Sequence, residues 1–382
     1  MQDRAATLKQ VAAKLQVYSS DRASASVMIG FDGFVDSIIS VVDQREDAET
    51  FSPIPTITRF GEKIHQAAGQ SSNYELVVNR EKLGGNGPIM ANAMASLGFP
   101  VTYVGALGLP TLHPVFAEFA SRAKCISIAN PGLTDALEFQ DGKLMLGKHQ
   151  TLKQVNWETL CQVVGEQQFQ DLIGQSRLVG MVNWTMLLNV EEIWRRLADR
   201  ILPGLPSGKA RRAIFVDLAD PEKRPAEDLL GAIKFLTRFQ KHADVVLGLN
   251  QKEAEQVATV LRIDATDDPE SAIEQIACEI RRSLDIFGVV VHPRTSAAAC
   301  WLESGKETSA RVTGPRIDIP KILTGGGDHF NAGFCLGWLA ELECKEALYA
   351  ATATSGYYVS RAASPTLDQL AEYLASAPEP VQ

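Results

Sequence analysis

Six short apolar runs, each ending in or followed by a turn-forming or polar residue, restrict the fold of this chain more than any other feature. They are Val27–Phe31, Val101–Gly105, Leu178–Val182, Ala213–Asp217, 244–248 and Gly288–Val291. A run without polar positions has no side to offer solvent, so as a strand it must be covered on both faces. Helix-like stretches separate most of the runs, for example Val190-Glu191-Glu192-Ile193-Trp194-Arg195-Arg196-Leu197. Apolar strands alternating with helices give βαβ units. The expected fold is therefore α/β, an open and mostly parallel sheet with helices on both faces.

Two stretches break the rhythm. The first holds Ser37-Ile38-Ile39-Ser40-Val41-Val42, a charged loop containing proline, and Tyr74-Glu75-Leu76-Val77-Val78. The second holds Ala136-Leu137-Glu138-Phe139 and Lys143-Leu144-Met145-Leu146, joined by Gln140-Asp141-Gly142. Asp-Gly between short strands is a hairpin signal. These pieces read as a small β lid off the main sheet. The expected organisation is an N-terminal helical extension, 1–26, and an α/β domain, 27–382, with lid segments at about 37–82 and 134–152.

A chain of 382 residues can bury a large core without disulfide staples, and its six cysteines include no Cys-x-x-Cys pair. The formal net charge of −9 argues against a nucleic-acid footprint. The N-terminus lacks the apolar core of a signal segment, and no apolar run is long enough to span a bilayer, so a cytoplasmic location is expected. The sequon Asn183-Trp184-Thr185 is then without consequence.

Three segments carry chemistry. Thr324-Gly325-Gly326-Gly327-Asp328 leads into a helix with core-facing Phe330, Phe334, Leu336 and Leu339. Glycines let the backbone approach an anion, and successive N–H groups at a helix start favour negative charge. Asp328 there has the position of a base beside a transferring phosphoryl group, or simply that of a helix cap. The second segment, Gly84-Gly85-Asn86-Gly87-Pro88-Ile89, opens a helix of small residues and holds Asn86 between glycines. The third, Asn250-Gln251-Lys252-Glu253, follows a buried strand and by itself reads as a capping box.

In this order the three segments resemble the signatures of the PfkB family of carbohydrate and nucleoside kinases, within the ribokinase-like fold, over roughly residues 27–370. The resemblance implies a kinase that moves the γ-phosphoryl group of ATP, with Mg²⁺, to a hydroxyl of a sugar, sugar phosphate or nucleoside. It implies Asp328 as the catalytic base and the backbone of Gly325, Gly326 and Gly327 as anion hole. Asn250 and Glu253 would act around the metal and phosphates through water, and Thr324 and Arg294 are further nucleotide-side candidates. Gly85 and Asn86 would border the acceptor. Of the two aspartates after the first strand, Asp36 is favoured as the acceptor ligand and Asp32 is second, since a carboxylate can accept two hydroxyl hydrogen bonds. An exposed lid sheet can also pair with another lid, which makes a homodimer an expectation.

Departures from the family pattern are specific. Ile322-Leu323 replaces the Asp-Thr pair tied to a monovalent-cation site, Gly326 replaces alanine, and Ile89 replaces an asparagine. His292-Pro293-Arg294 stands where the family has Thr-x-Gly. They keep two alternatives open, a catalytically silent binder of sugar or nucleotide and a kinase that uses ADP as donor. The segment 204–210 imitates a phosphate loop but is one residue short and lacks the hydroxyl after lysine.

Overall fold

The computed structural model describes residues 2–18, 21–206, 212–264 and 269–381. The phosphate-loop imitation at 204–210 therefore lies partly outside the described residues. In chain order the strands are β1 (Val27–Phe31), β2 (Phe34–Arg45), β3 (Phe51–Pro53), β4 (Leu76–Gly84), β5 (Val101–Gly105), β6 (Lys124–Ser127) and β7 (Gly132–Phe139). They continue with β8 (Gly142–Lys148), β9 (Leu178–Val182), β10 (Ala213–Asp217), β11 (Asp244–Leu249), β12 (Gly288–Val291), β13 (Ser296–Glu303) and β14 (Lys306–Thr313).

Nine strands form one sheet in the order β14-β13-β12-β11-β10-β9-β1-β5-β6. All six apolar runs are in it, mutually parallel, and every residue of β1, β9, β10 and β11 is buried. Period-two geometry sends alternate side chains to opposite faces. Ile214, Val216, Val245 and Leu247 enter one core, while Ala213, Phe215 and Val246 enter the other. The antiparallel hairpin β13–β14 closes one edge through Ser304 and Gly305, both at positive φ, as a tight two-residue turn requires.

The N-terminal helix Gln2–Tyr18 is built into this body. Leu8, Val11 and Leu15 are buried in the same cluster as Leu370 and Leu374 of the helix Leu367–Ala375. Lys14 bridges to Glu346 at 2.6 Å. No described helix is long and apolar enough to cross a membrane.

β2, β3, β4, β7 and β8 form a second sheet. The chain enters it directly from β1 through Asp32 and Gly33. A Cβ on Gly33 would lie 2.0 Å from the Ala106 carbonyl oxygen, so only glycine fits where the chain leaves the main sheet. β2 pairs with β7 on one side and with β4 and β3 on the other, while Asp141 and Gly142 lie at the β7–β8 turn. One face is covered by the helix Ile57–Gln66, whose Phe60 packs on Ile39, Val41 and Leu137. The other face carries Asp36, Lys82 and Thr134 in one paired row.

Candidate active site

In a parallel sheet every strand delivers its following loop to the same edge, and ligands of open α/β folds bind outside the carboxyl ends of the strands. Here that edge collects Asp32 after β1, Asn183 after β9, Asp217 at the end of β10, Asn250 after β11 and His292 after β12. The helix Gly326–Leu339 starts against the same edge.

Gly325 caps that helix at φ 93°, a left-handed backbone that glycine alone adopts without strain. The turn is held from behind. His329 joins the Gly325 carbonyl through Nδ1 at 2.7 Å and Ser364 Oγ through Nε2 at 2.8 Å. Its ring stacks on Tyr358, whose hydroxyl donates to the Thr324 carbonyl at 3.1 Å. Burial pushes the His329 pKa down to about 4, so the imidazole is a neutral structural member. Gly327 remains exposed at the tip. Thr324 is also exposed, and its carbonyl serves the turn.

Asp328 follows in the first turn of the helix and is 7% exposed. Its Oδ1 accepts from Asn86 Nδ2 at 3.0 Å, which brings the first and last signature segments into contact across 242 residues of chain. Burial raises its pKa to about 7; the Asn86 bond opposes this, and the charges of Asp32 and Glu253 add to it. The carboxyl is thus poised between its two forms near neutrality, as a general base requires.

Asp32, the second acceptor candidate, is enclosed by protein donors. It is 0% exposed, and protein donors take both of its oxygens. Oδ1 accepts from Gly87 N at 2.8 Å, while Oδ2 accepts from Asn86 N at 3.0 Å and Asn183 Nδ2 at 2.7 Å. Tyr103 donates to the Asp32 carbonyl at 2.6 Å. The carboxylate therefore occupies the N-terminus of the helix Asn86–Ser96 and fixes Asn86 under Asp328. Gly85 belongs to the same junction, at φ 97° as the cap of that helix. Desolvation raises the Asp32 pKa to about 6 against these hydrogen bonds. Asn183, the buried asparagine of the sequon, was missed as a site residue; nothing in its sequence context marks it as the partner of Asp32.

Asn250 and Glu253 do form a capping box. Glu253 N donates to Asn250 Oδ1 at 3.0 Å, and Asn250 N donates to Glu253 Oε2 at 2.8 Å. Glu253 Oε1 also takes Asp220 N at 2.9 Å, tying the helix to the loop after β10. Asp217 in that loop is a further residue the sequence reading passed over. It is buried, accepts from Asn331 Nδ2 at 2.7 Å, and titrates well above the usual carboxylate range. Desolvation is the main cause, followed by the charges of Glu253 and Asp328. These mutually repelling carboxylates suit a divalent cation, and the buried Asn331 Oδ1 has no partner within the protein. Their oxygens do not gather into one tight ligand cluster; among the described residues only Cys278, Cys300 and Glu307 do. The donor set thus fits a cation held partly through water. The Cys278–Cys300–Glu307 group is a poorer candidate, because Arg281 and Arg282 already bind Glu307.

Arg294 is exposed in the loop after β12, and no contact brings it to the glycine turn. His292 takes that place. Its Cε1 is 3.3 Å from where a Gly327 Cβ would be, and its ring packs on Phe330 at 4.6 Å between centroids. Asp36 is 5% exposed on β2, and a Cβ on Gly84 would lie 2.6 Å from its Cγ. Gly84 leads through Gly85 to Asn86, so the Asp36 carboxylate lies against the strand end from which Asn86 follows.

The family described as prokaryotic ketohexokinase matches residues 4–376 of the chain. A ketohexokinase from Haloferax volcanii is 29% identical over 346 residues, covering 90% of this chain and 89% of that protein. Among solved structures, a ribokinase from Arabidopsis thaliana complexed with ribose and ATP superposes with a TM-score of 0.61 at 16% identity, covering 92% of this chain and 99% of that one. A phosphofructokinase-2 variant from Escherichia coli superposes with a TM-score of 0.62 at 14% identity, covering 92% and 99%.

Proposed function

Since the chain belongs to the prokaryotic ketohexokinase family, we propose that it transfers the γ-phosphoryl group of ATP to a hydroxyl of a ketohexose with Asp328 as general base. At the coarser level it is a phosphotransferase of the ribokinase fold that acts on a sugar hydroxyl. The observation that carries the finer reading is the Asp328 carboxyl, buried beside the exposed Gly327 and held by Asn86.

Asp328 takes the proton of the acceptor hydroxyl as that oxygen attacks the phosphoryl group. The N–H groups of the 325–327 turn and the positive end of the helix face the charge that builds up on the phosphoryl oxygens. Asn86 aims the base, and Asp32 aims Asn86. Asp36 accepts from acceptor hydroxyls, and the lid above it keeps water from competing as the nucleophile. Mg²⁺, when bound, neutralises phosphate charge, and Asp217, Glu253 and Asn331 are the groups that would hold it, in part through water.

A coupled assay of nucleotide product tests the reading, following ADP when ATP is the donor and AMP when ADP is, with ketohexoses, aldohexoses, sugar phosphates and nucleosides as acceptors. ATP with a ketohexose should give the highest kcat/KM. Turnover only with ADP as donor, or saturable sugar binding without any transfer, would replace it.

The finer partner reading is a homodimer through the lid. Leu76, Val78, Leu133 and Leu146 are 43–53% exposed on the lid face opposite Asp36, which the helix Ile57–Gln66 covers only in part, and exposed apolar area favours association. Sedimentation velocity should find a dimer that Leu146→Asp dissociates. A wild-type monomer at micromolar concentration would remove this part of the reading.

A further inference from the structure

The lid face that carries Asp36 also carries a lysine whose ammonium has no partner among the described residues. Asp36 is paired directly with Lys82 of β4 and with Thr134 of β7. Side chains of directly paired residues leave a sheet on the same side. The position of the Asp36 carboxylate against Gly84 puts that side against the strand end that leads through Gly85 to Asn86, the partner of Asp328. Asp36 keeps one internal donor, the Thr134 side chain, and burial raises its pKa while Lys82 is the first charge to oppose the rise. Lys82 is half-buried and feels the Asp36 charge. Among the described residues its ammonium nevertheless forms no ion pair and no side-chain hydrogen bond, with Asp36 or any other group. The neighbouring cations are placed differently. Lys143 is held by Glu138 at 2.7 Å, and Arg80 is exposed further along β4.

An ammonium and a carboxylate paired across neighbouring strands without an ion pair each keep capacity for a ligand. The ammonium only donates and the carboxylate only accepts. A sugar satisfies both at once, giving a hydroxyl hydrogen to Asp36 and offering an oxygen to Lys82. The charges of the pair cancel, so an uncharged acceptor leaves the site balanced. A phosphorylated acceptor would bring further negative charge close to the buried Asp36.

We propose that Lys82 and Asp36 form a two-ended clamp for an uncharged sugar, with Lys82 as an acceptor-binding residue that donates to a sugar oxygen and Asp36 as the charge that disfavours phosphorylated sugars. The clamp rests on the phosphoryl-transfer reading above and specifies the chemistry of its acceptor end.

Steady-state kinetics of the full chain test it, with D-fructose, D-fructose 6-phosphate and ATP varied in turn. Lys82→Met should raise the KM for fructose about tenfold or more, the usual scale for losing a charged hydrogen bond, and leave the KM for ATP within about twofold. Lys82→Arg, which keeps the donor and charge, should recover most of the loss. The wild type should favour fructose over its phosphate by kcat/KM. An unchanged fructose KM in Lys82→Met, or a wild-type preference for the phosphate, overturns the clamp alone. A Lys82→Met protein with lowered Tm and equal losses for both substrates makes Lys82 structural and also overturns it. A wild type that phosphorylates no hydroxyl acceptor overturns the phosphoryl-transfer reading, and the clamp with it.

Discussion

Asp328→Asn is expected to lower kcat by about 10²–10⁴, the usual contribution of a positioned general base, while nucleotide affinity changes little. The variant keeps the shape of the site and the glycine turn. It removes only the group that takes the proton. In the wild type, kcat/KM should fall about tenfold per pH unit below pH 7, because the Asp328 pKa of about 7 leaves the base protonated there. The residual activity of the variant should lack that limb. Stability should move the opposite way. Asp328 holds its proton at about 7 when folded against an ordinary 3.8. The folded state therefore binds more protons between those values, and stability present below pH 3.8 is lost as pH rises through 7. Asparagine carries no charge to bury, so the variant should resist urea better than the wild type at pH 8, by at most about 4 kcal/mol, and show no such gain near pH 4. Near-normal turnover by the variant would sink the assignment of the base.

Asp32→Ala should cost about 3 kcal/mol of stability, the second large effect expected. The substitution strips the partner from Asn86 N, Gly87 N and Asn183 Nδ2, and each orphaned buried donor costs about 1–3 kcal/mol. Part of the loss is offset, since Asp32 no longer has to be ionised in a buried place. Activity should fall too, because Asn86 loses the anchor that aims it at Asp328. Urea denaturation alongside nucleotide and sugar titrations separates the roles. An Asp32→Ala protein of wild-type stability that has lost only sugar affinity would return Asp32 to the acceptor site.

The glycine turn and the base candidate were legible in the sequence because their signal is local. Consecutive glycines before a helix can be read without knowing what else is nearby. Asp217 and Asn183 carry no such signal. One ends an ordinary apolar strand, and the other looks like a surface sequon; each matters only because the parallel sheet brings its strand end beside the others. The loop His292-Pro293-Arg294 leaves the arginine exposed, as a surface residue or a nucleotide-side candidate, and sets His292 against Gly327, a contact that no local signal announces. The β13–β14 edge hairpin was missed because its alanine-rich run lacks clear alternation, and its turn depends on Ser304 accepting positive φ.

By itself, then, the sequence determined the architecture. Six apolar runs too short for helices and too apolar for a half-exposed sheet leave a covered parallel sheet as the way to bury them. It also marked the glycine turn, because backbone freedom is written in residue type. The tertiary structure alone decided which polar groups meet. Asp32 and Asp36 lie four positions apart and look interchangeable in the sequence. The turn at Gly33 sends one beneath a helix N-terminus, where backbone amides consume its oxygens, and carries the other onto the lid beside Lys82. Their different roles come from the donors the fold delivers to each carboxylate, and those donors lie from 54 to 151 residues away along the chain.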